Sequence, residues 1–174
     1  MTEPIQRIEL EVSIDYGQVY IFDPTTGDTP GSDAMDLVMD EAINTATYVG
    51  SRGGFIDLMT PIQFNTNAPM RVELWEQAPP DDDINFDHVV DVDLDVPSGR
   101  LLFEQSGEIY DPEYCVETTI PPARYRVRVA GRGYEHSKSQ GGGLDSYRLQ
   151  LWLRETDTPA VLRRSWAGWQ KIMG

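Results

Sequence analysis

Hydrophobic and polar residues alternate along much of this chain. Between residues 8 and 16, Ile8, Leu10, Val12, Ile14 and Tyr16 fall on one side, with Glu9, Glu11, Ser13 and Asp15 on the other, the period-two pattern of a half-buried strand. Gly17-Gln18 interrupts it, and the apolar run 19–22 ends in Asp23-Pro24-Thr25-Thr26-Gly27-Asp28, a cluster of turn formers that predicts a hairpin or bulge. Further strands are predicted at 55–59, 70–75, 86–96, 101–104 and 115–120, with turns at Pro97-Ser98-Gly99 and Tyr110-Asp111-Pro112. Later, Tyr125, Val127 and Val129 alternate with Arg124, Arg126 and Arg128, and Tyr147, Leu149, Leu151 and Leu153 with Arg148, Gln150, Trp152 and Arg154.

One stretch carries the helical period instead. Met35, Val38, Met39, Ala42, Ile43, Ala46 and Val49 recur on one face of residues 32–49, and Asp33, Asp36, Asp40 and Asn44 occupy the other. Ser32 or Asp33 can cap the first free amides, acids in the first turn suit the dipole, and Gly50 reads as the stop. The loop 131–145, containing Gly141-Gly142-Gly143, reads as loose, and 158–174 reads as a helical or extended tail standing apart from the rest. With no βαβ alternation and no repeat, seven or eight strands, each with one apolar face, predict a mainly β fold. The expected form is an antiparallel β-sandwich or barrel, residues 1–174 as one domain, with one early amphipathic helix.

Charge changes this picture more than composition does. The net charge is −15 over 174 residues. Residues 1–120 hold 25 Asp+Glu against 4 Lys+Arg, or −21, while residues 121–174 hold 4 against 10, or +6. Such a field repels nucleic acid and anionic lipid and speeds encounter with basic partners. No apolar run is long enough to span a bilayer, no secretory signal pattern is visible, and the chain reads as cytoplasmic.

The chemistry that these residues offer is sparse. A lone Cys115 and two histidines, His88 and His136, leave no disulfide, zinc set or Cys/His nucleophile. There is no Gly-x-Ser-x-Gly motif and no phosphate loop, so neither an enzyme nor a cofactor is expected. His88 lies on the apolar side of its strand and reads as a hydrogen-bonded core residue. Asp91-x-Asp93-x-Asp95 resembles the start of an EF-hand loop, but Val96 stands where glycine is needed and Leu102 where glutamate is needed. Asp81, Asp82, Asp83 and Asp87 remain as a candidate cation cluster. The sharper reading concerns spacing, because alternate strand residues recur about every 6.8 Å. Asp91, Asp93 and Asp95, with Asp87 before them, would form a regular negative row; with the helix acids Asp33, Asp36 and Asp40 it could imitate a phosphate backbone to a nuclease. The competing reading pairs Arg124, Arg126 and Arg128 with that acidic strand inside one sheet.

The segment Leu10-Glu11-Val12-Ser13-Ile14-Asp15-Tyr16-Gly17-Gln18-Val19-Tyr20-Ile21-Phe22, the helix with Asp40-Glu41-Ala42-Ile43, and Phe55 after it resemble the competence protein J family. So do Pro121-Pro122-Ala123-Arg124-Tyr125-Arg126-Val127 and Ser146-Tyr147-Arg148-Leu149-Gln150-Leu151-Trp152. The resemblance implies inhibition of a partner DNA-entry nuclease and brings no site residues with it. The chain departs from the family at the 81–83 loop, the 141–143 loop and the Trp-containing tail. The expectation is a non-enzymatic acidic protein that binds a basic nuclease or another nucleic-acid-binding protein through Asp33, Asp36, Asp40, Asp81, Asp82, Asp83, Asp87, Asp91, Asp93 and Asp95. The alternatives are a calcium- or small-ligand-binding β-sandwich and an uncharacterised enzyme.

Overall fold

The computed structural model describes residues 3–63, 66–106 and 112–173; Tyr110-Asp111 of the expected turn lie outside them. Among these residues the alternation resolves into two open sheets. The first has the order β1 (Gln6–Ile14), β5 (Thr66–Leu74), β10 (Ser146–Leu153), β9 (Ala123–Arg132), β6 (His88–Val96) and β11 (Val161–Arg164). The second has the order β3 (Val49–Arg52), β4 (Phe55–Met59), β2 (Gln18–Phe22), β7 (Arg100–Gln105) and β8 (Cys115–Thr119). The mainly β expectation holds in its coarse form, with corrections: eleven strands replace seven or eight, neither sheet closes, and β5 and β10 run parallel. The four-residue strands β3 and β11 are too short to show a periodicity.

The alternating apolar residues of both sheets meet in one core. Val12, Val72, Val90, Val92, Leu94, Val127, Val129 and Leu149 come from the first sheet, and Val19, Ile21, Ile56, Leu58, Leu101 and Phe103 from the second. Each such side chain contributes about 1.5–3 kcal/mol on burial.

Helix α1 (Asp33–Asn44) lies on the outer face of the second sheet, burying Ala34, Val38 and Ala42, with Val38 in one apolar cluster with Tyr20, Phe22, Phe55 and Leu102. It ends earlier than the periodicity predicts, at Asn44, and beyond the cap residue Thr45 the chain turns through Ala46 and Tyr48, with φ of 56° and 53°, into β3. Ser32 is the N-cap residue, but its hydroxyl donates to Thr29 O instead of capping. Gly50 is part of β3 rather than the helix stop; a Cβ there would stand 2.5 Å from Val38 O, so glycine lets the helix rest directly on the strand.

Two further expectations are corrected. The loop expected to be loose contains α2 (Tyr134–Gln140), anchored by the buried Tyr134. The 158–174 segment does not stand apart: β11 pairs with β6, and α3 (Trp169–Met173) places Trp169 in the core beside Trp166. Trp169 stacks on Tyr48 at 4.4 Å and meets His88, Tyr134 and Trp166 edge-on. Large aromatic area, not helical or strand periodicity, holds this segment in place.

His88 is the hydrogen-bonded core histidine that its register suggests. Its Nε2–H donates to Thr47 O at 2.6 Å, and its Nδ1 accepts from the Trp166 backbone N–H and the Trp169 indole, each at 3.3 Å. Burial pushes its pKa from 6.5 down to about 4, so the neutral ring is the native form. The stability this contributes is present above about pH 6.5 and is lost as pH falls towards 4. In urea titrations between pH 4 and 7, His88→Gln is expected to flatten that acid limb by up to ~1.4 kcal/mol per pH unit; an unchanged limb would show that the ring is charged in the folded state.

Candidate functional site

The acidic strand face is paired within its own sheet. In register across β6 and β9, Asp91 faces Arg128, Asp93 faces Arg126 and Asp95 faces Arg124. Arg128 Nε reaches Asp91 Oδ1 at 2.9 Å with both side chains buried, and Arg126 Nη1 reaches Asp93 Oδ1 at 2.9 Å. Arg154 Nη2 meets Asp95 at 2.5 Å, and Asp157 accepts from both Arg124 and Arg154. The segment after β10 then straps the row down: Thr158 N–H donates to Asp93, while the Thr158 and Pro159 carbonyls accept from Arg126. The expectation of a free negative row at Asp91, Asp93 and Asp95 is therefore corrected. Its charge is spent on arginines of the basic C-terminal third.

The 81–83 loop folds onto the same arginine-rich face. Arg148 donates both terminal nitrogens to Asp82 at 2.7 Å and stacks over Phe86 at 4.2 Å, and this fork holds the Asp82 carboxyl below its ordinary range. Arg163 pairs with Asp83 at 2.8 Å and with Asp81 at 3.3 Å. Asp87 accepts from the Tyr134 N–H at the start of α2. The structure thus turns the cation cluster Asp81, Asp82, Asp83 and Asp87 towards arginines and a helix start. Among the described residues no three His, Cys, Asp or Glu side chains converge as metal ligands.

Asp33, Asp36 and Asp40 differ from the other seven, being exposed on α1 and making no ion pair among the described residues. Dipole complementarity explains Asp33 and Asp36 in the first turn, but Asp40 and Glu41 near the last turn, where no basic residue stands, oppose it. Residues 18–63, which build α1 and three strands beneath it, hold Asp23, Asp28, Asp33, Asp36, Asp40, Glu41 and Asp57 against Arg52 alone. The two faces of the molecule are consequently unlike: arginine–aspartate ladders cover the first sheet, whereas unpaired α1 acids lie over the second, which carries an Arg100–Glu117 pair between β7 and β8.

Asp57 and Glu104 escape a reading of the sequence as site residues. Asp57 sits in β4, every residue of which is buried, and both its carboxylate oxygens are without a hydrogen-bond partner. Burial raises its pKa from 3.8 to about 7 and also raises that of Glu104. A carboxyl shifted upward contributes stability that is full below pH 3.8 and is lost as pH rises to about 7, opposite in sign to His88. Asp57→Asn is expected to gain on the parent chain by up to ~1.4 kcal/mol per pH unit across that interval, measured by denaturant midpoints at pH 4, 5.5 and 7. A constant difference would mean that Asp57 is already ionised at pH 4. The only sequence signal was a single acid inside the apolar run Phe55-Ile56-Asp57-Leu58-Met59.

Two open, mainly antiparallel sheets around one core, with an acid-faced helix laid on the second, define the class of fold. No protein-family model and no curated protein sequence matches the chain. Among solved structures, it is similar to ComJ from Bacillus subtilis, described as an inhibitor of the DNA degrading activity of NucA. The two are 20% identical with a TM-score of 0.58, over 84% of this chain and 96% of that one. It is similar to a similar degree to the protein described as crocagin biosynthetic gene J, at 21% identity and a TM-score of 0.59, over 86% of this chain and 98% of that one. The resemblance to competence protein J thus extends over most of the chain, and at these identities it is a likeness of fold.

Proposed function

We propose that this chain is a non-enzymatic binding protein that recognises a basic protein, as an inhibitor or immunity-type partner of a nuclease. The carrying observation is the unequal fate of its acids. The β6 row and the 81–83 loop are neutralised internally, whereas Asp33, Asp36 and Asp40 remain unpaired on an exposed helix. The proposed contact surface is accordingly α1. Asp81, Asp82, Asp83, Asp87, Asp91, Asp93 and Asp95 act by fixing the arginine face, which leaves the field of the other face uncancelled. Likeness to ComJ supports a nuclease as the basic partner. Electrostatic steering would make association fast and strongly salt-dependent.

The test measures DNA degradation and association kinetics with NucA and with basic nucleases from the chain's own source, at low and high salt. Protection of DNA at low salt is expected. Asp33→Asn, Asp36→Asn and Asp40→Asn together should slow association about tenfold and flatten its salt dependence. Absence of protection at every salt concentration, or a triple variant that associates like the parent, would sink the reading.

A further inference from the structure

The outer face of the second sheet carries a row of residues in register across all five strands: Gly50 on β3, Asp57 on β4, Tyr20 on β2, Glu104 on β7 and Cys115 on β8. With strands about 4.8 Å apart, the two carboxyls flank the Tyr20 ring roughly 10 Å from each other. The phenol donates to Gln18 Oε1 at 2.8 Å. The Tyr20 ring lies 5.5 Å from that of Phe55. Helix α1 covers the β3–β4 end of the row, with Val38 seated over Gly50 and in one apolar cluster with Tyr20 and Phe55. Burial above all, opposed by a hydrogen bond with Ser106, pushes the Tyr20 hydroxyl upward, and the neighbouring Asp57, Asp36 and Glu104 carboxyls add to the shift.

What distinguishes the row is the missing counter-charge. The other buried carboxylates all have partners: Asp23 takes Thr25 and Ser98, Glu73 takes Trp75 and Gln150, Asp91 takes Arg128, and Asp145 takes Ser137 and Tyr147. Asp57 is 0% exposed, with both carboxylate oxygens buried and unpartnered among the described residues, and Glu104 is 9% exposed. The cations of this sheet stand at strand ends, Arg52 exposed on β3 and Arg100 already held by Glu117. On β8, Cys115 and Glu117 bring no positive charge either. A buried carboxyl without a partner is costly, and a fold that satisfies the other four leaves Asp57 open. Two carboxyls so far apart cannot share one metal ion, whose oxygen ligands lie at about 2.0–2.6 Å. A planar organic cation lying along an aromatic ring matches the spacing and the chemistry.

We infer that the Asp57–Tyr20–Glu104 row is a receptor for a guanidinium group of a basic protein, which enters when α1 lifts and is held by the two carboxyls against the Tyr20 ring. This inference rests on the reading that the partner is basic, and it assigns the anchor that an exposed acidic helix lacks. The outer acids Asp33 and Asp40 steer the partner; the row holds one of its side chains. Pairing with a cation favours the ionised carboxylate, so occupancy of the row near pH 7 draws a proton off Asp57.

The probe is a hexa-arginine peptide, titrated calorimetrically at pH 6.5 in two buffers of different ionisation enthalpy, so that proton release is measured together with affinity. Wild type is expected to release a fraction of a proton for each peptide bound. Asp57→Asn, which removes a buried ionisable group and so folds readily, should bind at least about tenfold more weakly and release no proton. Glu104→Gln should weaken binding while retaining release. Asp33→Asn with Asp40→Asn should slow association yet leave the proton released per bound peptide unchanged. Peptide binding without proton release, equal in wild type and Asp57→Asn, would overturn the receptor and leave the basic-partner reading standing. Proton-linked binding with no nuclease inhibition would do the reverse. No binding at low salt would overturn both.

Discussion

Trp169→Ala should cost about 3–5 kcal/mol of stability, the range for removing a large aromatic from a packed core, and should shift the denaturant midpoint without changing the slope. The ring is 2% exposed and joins elements far apart in sequence: Tyr48 before β3, His88 on β6, Tyr134 on α2 and Trp166 after β11. Its indole N–H also donates to His88 Nδ1, which keeps only the Trp166 backbone N–H after the substitution. Trp169→Phe keeps most of the area and loses the N–H, and should fall between the two. A loss below about 1 kcal/mol for the alanine variant would mean that the aromatic cluster is only loosely seated.

Arg128→Met should be comparably damaging, at about 3–5 kcal/mol, because it leaves the buried Asp91 carboxylate with only the longer Arg163 contact at 3.6 Å. The pair is bidentate, 2.9 Å at Nε and 3.3 Å at Nη2, and the guanidinium also lies over Trp152. Replacing both partners, Arg128→Met with Asp91→Leu, should restore most of the loss, since desolvation of the pair largely cancels its attraction. The comparison separates two uses of an aspartate strand. If the single variant were harmless, the row would be solvated and free to meet a partner; a large single loss with a mild double one confines it to internal pairing. Urea unfolding of the three chains decides between these outcomes.

Both predictions turn on features that the sequence displays unequally. The half-buried strands were legible because a single solvent face imposes strict alternation, and the same alternation placed Arg124, Arg126 and Arg128 opposite Asp91, Asp93 and Asp95. Pattern alone could not say which of two like-looking acidic faces keeps its charge. That depends on the chain after β10, whose Arg154, Asp157 and Thr158 cover one row and leave α1 bare. The tail was illegible for a related reason: Trp166 and Trp169 are fixed by the rings of Tyr48, His88 and Tyr134, and no local periodicity records that. Glycines at 141–143 disguised α2, whose anchor is the single buried Tyr134. Asp57 was hidden by its company, since an acid in an apolar pentapeptide looks like a lapse in a pattern until its missing partner is seen in three dimensions.

The parallel ladder between β5 and β10 has a consequence for how the chain assembles. The first sheet consists of an antiparallel pair, β1 with β5, and an antiparallel block, β10–β9–β6–β11, which among the described residues of that sheet are joined by the ladder of residues 70–74 with 147–151, continued by the Trp75 N–H to Leu151 O bond. Closing that seam brings together positions widely separated in sequence, so its entropy must be met before its contacts reward it. Formation of the seam should therefore pace folding. It is also the line along which the sheet would part first under mechanical load, with the two blocks separating before either unravels.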